Sequence, residues 1–236
     1  MFPLCYIDSM SATRILAPLF VRRSVPLPTW RGWLLIATLV VAGMCFVPHA
    51  LYTFLATTNA TGGGILVIEG WLEDRAVADG VSLYRSGRYD RIVTTGVPID
   101  YGSFLSAYGS TADAARATCM HMGIDSGSVH AAAAHGHILR DRTLASAYAL
   151  RAWLQRNAPG TRQVDILSQG VHARRTHMIF ARVLGDSIRV GIIAAPDARY
   201  GADDWWKSSA GGKDVGGELV GYVYAAIGRD QPPPQE

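Results

Sequence analysis

From Gly32 through Ile68 the chain carries no Asp, Glu, Lys or Arg. So long a stretch without charge excludes a solvent-washed surface segment, and residues 33–55 have the length that crosses a ~30 Å hydrocarbon core. Net charge is missing beyond it as well. The formal +3 comes from Arg14, Arg22, Arg23 and Arg31 against Asp8, while residues 60–236 hold 18 basic and 18 acidic side chains. A neutral domain lacks the electrostatic footprint of phosphate-backbone binding, so nucleic acid is excluded as a partner. Cysteine is scarce too. Cys5 and Cys45 lie in or before the apolar stretch, leaving Cys119 as the only thiol of the folded part, which excludes an intradomain disulfide and leaves the redox compartment unread. Cys119 stands in a helical pattern beside Met120 and Met122 and reads as a buried structural thiol rather than a nucleophile.

The apolar run reads as a retained single-pass anchor over residues 32–56. Trp30 and Trp33 at one end and Tyr52 at the other suit interfacial aromatic belts, and the arginines cluster only before the run. Residues 1–31 are therefore expected in the cytoplasm and the remainder outside it, with the bacterial inner membrane as the first partner. A cleaved signal peptide competes, since Pro48 could end a shorter core and residues 56–60 are small. Its leading region of about thirty residues is too long for that class. Pro48 is expected to bend or end the helix and to bring His49 near the outer interface. Residues 57–64 read as a short flexible tether.

Over residues 65–228, strand and helix patterns alternate. Residues 64–68 (GILVI) form a strand and 75–84 a helix; 91–94 (RIVT) a strand and 110–122 a helix; 129–133 a strand and 141–156 a helix; 164–167 (VDIL) a strand and 174–184 a helix; 188–194 a last strand. Five such strands call for a Rossmann-like, doubly wound α/β fold with a mainly parallel sheet covered on both faces. Residues 215–227 read as a final helix, too short to span a membrane, and the tail 229–236, with its three prolines, as disordered. In such a sheet, ligands bind beyond the carboxyl ends of the strands.

The loops at that rim hold the candidates. No GxGxxG follows the first strand, which disfavours ordinary dinucleotide binding; Glu69 stands there instead, as a general base or as the ionic partner of an arginine such as Arg142 or Arg175. Thr95 and Gly96 form a small-residue turn suited to close ligand approach or to a plain tight turn. Ser110, Thr111 and Asp113 open a helix, by ordinary capping or as an anion seat. His135 and His137 bracket Gly136, but no third ligand stands at typical spacing. No metal site is assigned and the cofactor is left unknown; His137 is kept as a ligand contact. Arg142 and Thr143 open the next helix. The most informative stretch is Ser168, Gln169, Gly170, Val171, His172, Ala173, Arg174, Arg175, in which a strand ends, an imidazole is exposed and a helix opens on two arginines that oppose its dipole unless an anion lies nearby. His177, five residues beyond His172, faces elsewhere and reads as structural.

The strand ILVIEG, the turn RIVTTG, Thr143 at the head of the long helix and LSQGVHARRTHMIFARVLG together resemble the ElyC/SanA/YdcF family over residues 65–184. The family pattern after its strand is Ser, His, then Arg three residues on, matched by His172 and Arg175. Its Gly-rich end to the first strand is here Glu69, Gly70, Trp71. The resemblance implies a membrane-anchored envelope protein concerned with peptidoglycan or barrier maintenance. The cytoplasmic branch is associated with S-adenosylmethionine, which an extracytoplasmic domain would not meet.

Two functions stay open. One is an enzyme or carrier-handling protein acting on a phosphorylated, lipid-linked envelope intermediate, with His172 and Glu69 as acid or base and Arg175 and Arg142 as anion clamps. The other is a non-catalytic envelope factor that holds a ligand or a protein partner in the same cleft.

Overall fold

The computed structural model describes residues 26–100, 106–138 and 140–228. The N-terminal segment before residue 26, expected in the cytoplasm, and the tail 229–236 lie outside them. Two compact units are distinguished, one ending at Met44 and one running from Cys45 to the C-terminus.

Helix α1 (Trp30–Leu55) is 26 residues long and apolar enough to span a membrane, with a mean hydropathy of 2.2 over a window that is nowhere buried. It continues through Pro48 rather than ending there. Its last turns belong to the globular unit: Leu55 is fully buried, and with Leu51 and Tyr52 it packs against Val171, Tyr200 and Val215. Residues 48–55 thus lie in the globular unit, where Leu51, Tyr52 and Leu55 join its apolar packing while Phe54 stays 40% exposed.

The globular unit contains β1 (Gly64–Glu69), α2 (Asp74–Arg85), β2 (Tyr89–Gly96), α3 (Thr111–His121), β3 (Val129–Ala133), α4 (Arg142–Asn157), β4 (Gln163–Gln169), α5 (Ala173–Leu184), β5 (Arg189–Ala195) and α6 (Ser209–Ala226). The strands form one five-stranded sheet in the order β3-β2-β1-β4-β5, every pair parallel. That is a Rossmann-like doubly wound sheet, and the direction in which strands are added reverses between β1 and β4. Alternate residues of each strand feed opposite faces. Ile65, Val67, Val93, Val164 and Ile166 pack under α4 and α5, where Leu144, Ala147, Leu150 and Phe180 recur at helical spacing. Leu66, Ile68, Ile92 and Leu167 pack under α2 and α3 around Val77, Val81 and Cys119. Burial pushes the Cys119 thiol up to about 11, which makes it unreactive at neutral pH.

Two sequence expectations change. Residues 57–64 are docked, not a free tether: Asn59 bridges Ile192 antiparallel on the edge of β5, and Thr61 and Gly62 donate their amides to the Asp165 carboxylate at 2.7 and 2.8 Å. Asp165 is fully buried in β4 and takes a third bond from Tyr89 Oη at 2.8 Å, since a carboxylate can occupy that position only if it is hydrogen-bonded. Helix α6 also begins earlier than its apolar pattern, because Ser208 caps it by accepting from the Gly211 amide at 3.0 Å.

Candidate functional site

The carboxyl ends of β1 and β4 flank the point where strand order reverses, and a cavity of about 400 Å³ lies there. Of the residues marked by sequence, Glu69, Gly96, Thr111, Arg142, Thr143, His172 and Arg175 line it, joined by Trp71, Arg140, Asp141, Ser146 and Thr176. Ser168 and Thr95 lie under it, 0% and 1% exposed. His137 does not reach it. Its side chain is largely exposed and faces Asp100 at 3.6 Å. His177 points the other way, its Nε2 3.0 Å from the Val190 carbonyl oxygen.

Glu69 ends β1 at 2% exposure, paired in register with Thr95 of β2. Burial drives its carboxyl pKa upward, against hydrogen bonds from Ser168 and Trp71 and the charges of His172 and Arg175. Thr176 Oγ1 donates to Glu69 Oε2 at 3.3 Å and lies 3.4 Å from Ser168 Oγ. The hydroxyl of Thr95 is buried with no hydrogen-bond partner among the described residues. A polar layer thus sits in the sheet beneath the cavity.

His172 closes the short turn Gly170–His172 after β4. Gly170, at φ 47, lets the strand turn sharply enough to put the imidazole at the rim. Helix α6 supplies a residue that the sequence patterns did not mark: Glu218 Oε1 is 2.8 Å from His172 Nδ1. The same carboxylate takes Arg175 Nε on Oε2 at 2.7 Å and Arg175 Nη2 on Oε1 at 2.9 Å. Burial alone would raise the Glu218 pKa, but hydrogen bonds from His172 and Arg175, with their charges, hold it down at about 2. Trp71 packs its ring edge-on against His172 at 4.8 Å. The signal for Glu218 was present in VGGELVGYVYAAI, where a lone acid in an apolar helix needs a buried partner.

These contacts revise two roles. Arg175 pairs with Glu218, so two of its donors serve an ion pair, and Nη1 lies 3.5 Å from Thr143 Oγ1. The close approach at Gly96 is to protein: a Cβ there would collide with Thr111 and lie 2.6 Å from the Ala112 amide nitrogen of α3. Thr111 is likewise occupied, its Oγ1 accepting from the Val97 amide at 3.2 Å, and Ser110 caps α3 by accepting from Asp113 at 3.1 Å. The anion seat weighed at α3 is thus an ordinary cap.

The opening of α4 is different. Asp141 holds the helix N-cap in the left-handed region at φ 54 and gives it no side-chain cap, a conformation that stores strain in a non-glycine residue. Arg140 and Arg142 flank it at the cavity, and neither makes an ion pair among the described residues. Two arginines at an uncapped helix N-terminus, opposite a carboxylate-oriented imidazole, can hold an anion and exchange a proton with it. No three potential metal-ligating side chains converge among the described residues.

No family model matches the chain, and comparison with curated proteins and with solved structures returns no match.

Proposed function

We propose that this chain is a single-pass bacterial envelope protein of the ElyC/SanA/YdcF kind, whose cleft binds a phosphorylated, lipid-linked envelope intermediate. One observation carries the reading: at the switch point of the sheet, His172, oriented by Glu218, faces the Arg140–Arg142 opening of α4 across a single cavity. The arginines and the α4 amides take the anionic group. His172 gives or takes a proton through Nε2, since Nδ1 is held by Glu218.

The position of the anchor supports a ligand resident in the membrane. Leu55 packs with Val171, beside the turn that carries His172. The chain then runs antiparallel to the edge of β5 before β1 begins, so within the globular unit residues 51–55 lie toward the carboxyl rim of the sheet. Arginines before the apolar run and none within it favour a cytoplasmic N-terminus and an extracytoplasmic domain, at the inner membrane. A non-catalytic envelope factor would use the same cleft, and the locked Arg175 suits holding rather than turnover.

Calorimetric titration of the full-length protein in detergent with farnesyl phosphate tests the binding. Arg142→Ala should weaken it about ten- to a hundredfold, the equivalent of one charge-assisted hydrogen bond of roughly 1.5 to 3 kcal/mol. Equal affinity for both proteins, or none for either, refutes the anion cleft. His172→Ala should leave affinity largely intact while abolishing any turnover that depends on proton transfer.

A further inference from the structure

The turn Trp205–Lys207 precedes α6 and takes no part in the cleft. Trp205 Nε1 donates to the Pro48 carbonyl oxygen at 3.1 Å, and His49 Nδ1 lies 3.1 Å from Asp203 Oδ1. Both bonds fasten the turn to one point on α1. At that point the exposed Phe46 (72%) and Val47 (59%) give way to side chains packed inside the domain. Trp206 stacks edge-on against Trp205 at 5.8 Å and remains 46% exposed. A large exposed indole is costly in water and suited to the boundary between headgroups and acyl chains, where its ring is buried and its N–H is wet.

We propose that this turn is a second membrane contact, with Trp206 seated in the interfacial layer of the leaflet from which α1 emerges. The contact goes beyond the cleft reading and rests on α1 being a membrane span. The apolar part of α1, residues 30–47, rises about 27 Å at ~1.5 Å per residue, close to the ~30 Å of a hydrocarbon core. Trp30 opens it, and Trp205 is bonded to the carbonyl of Pro48, the residue that follows it. Lys207 follows Trp206 and can extend its ammonium toward phosphates. Asp203 and Asp204 precede the pair, so the attraction is aromatic and dipolar rather than electrostatic, and it should survive high salt.

The test uses the full-length protein in phosphatidylcholine vesicles with either ordinary or brominated acyl chains. Subtracting the emission of Trp206→Phe from that of the unaltered protein isolates Trp206, and the same subtraction with Trp33→Phe isolates a residue within the span. The expected result is loss of both difference signals in brominated vesicles, unchanged at high salt, with the Trp206 signal insensitive to aqueous iodide. Quenching of Trp33 with the Trp206 signal untouched by bromolipid, and accessible to iodide, overturns the contact while leaving the span intact. An unquenched Trp33 overturns the span, and this proposal with it. A Trp206 signal shielded from both quenchers would place the indole against protein rather than lipid and would overturn the contact as well.

Discussion

His172 Nδ1 and Glu218 Oε1 stand 2.8 Å apart, although 46 residues separate them in sequence, and Arg175 holds the other side of the same carboxylate. The arrangement fixes the imidazole ring and neutralises a carboxylate that has been withdrawn from water. It also makes α6 part of the site, since without that helix neither His172 nor Arg175 has its anionic partner.

The Glu218 pKa falls from the ordinary 4.5 to about 2. A lowered acid stabilises the fold fully above about pH 4.5 and loses that contribution as pH falls toward 2. For a shift of this size the contribution is on the order of 3 kcal/mol. Urea midpoints of the unaltered protein and of Glu218→Gln should differ at pH 7, and the difference should shrink progressively as pH falls from about 4.5 toward 2. A difference that stays constant across that range would show that the carboxylate charge contributes nothing.

Glu69 behaves in the opposite sense. Its pKa is raised by burial, so the folded state disfavours the ionised form, and the penalty grows as pH rises from the ordinary value through the raised one. Glu69→Gln keeps the size of the side chain and one acceptor oxygen without the charge. Its thermal midpoint should exceed that of the unaltered protein at pH 8 and match it at pH 4; a loss of stability at pH 8 would show that the ionised carboxylate is what the polar layer holds.

Asp165 accepts from Thr61, Gly62 and Tyr89 inside the domain. Asp165→Ala leaves buried donors unpaired at roughly 1 to 3 kcal/mol each, and it releases the segment joining α1 to β1. Limited proteolysis should begin to cut within residues 57–63, and the urea midpoint should drop. Resistance equal to that of the unaltered protein would mean that the edge pairing of Asn59 with β5 secures the segment without Asp165.

The alternation of strands and helices was legible because four of the strands are short runs rich in β-branched residues, β3 (VHAAA) being the weak one, and the helices keep apolar stripes; both periods are local. His172 and Arg175 were legible as residues at a strand end. Glu218 was not, because its significance lies in a contact from a distant helix whose glycines gave a weak pattern. Residues 57–64 misled through composition, since Thr and Gly signal freedom; the counter-signal was Asp165 inside the apolar strand VDIL, a buried acid that had to find donors. His137 misled because position after a strand does not fix where a side chain points, and it turns outward to Asp100.

The final prediction concerns the shared end of α1. Leu55 is completely buried against Val171, whose neighbour His172 lines the cleft. Leu55→Ala should cost about 2 to 5 kcal/mol, as core truncations of leucine do, whereas Leu39→Ala, at a position 63% exposed, should leave domain stability unchanged. Because Leu55 supports the turn that carries His172, the loss should also appear locally. Amide exchange in residues 170–173 should accelerate more in Leu55→Ala than exchange in β3, on the far edge of the sheet. Uniform acceleration throughout the domain would mean that the helix end contributes to global stability without specifically holding the turn; no acceleration, with an unchanged midpoint, would return residues 51–55 to the membrane.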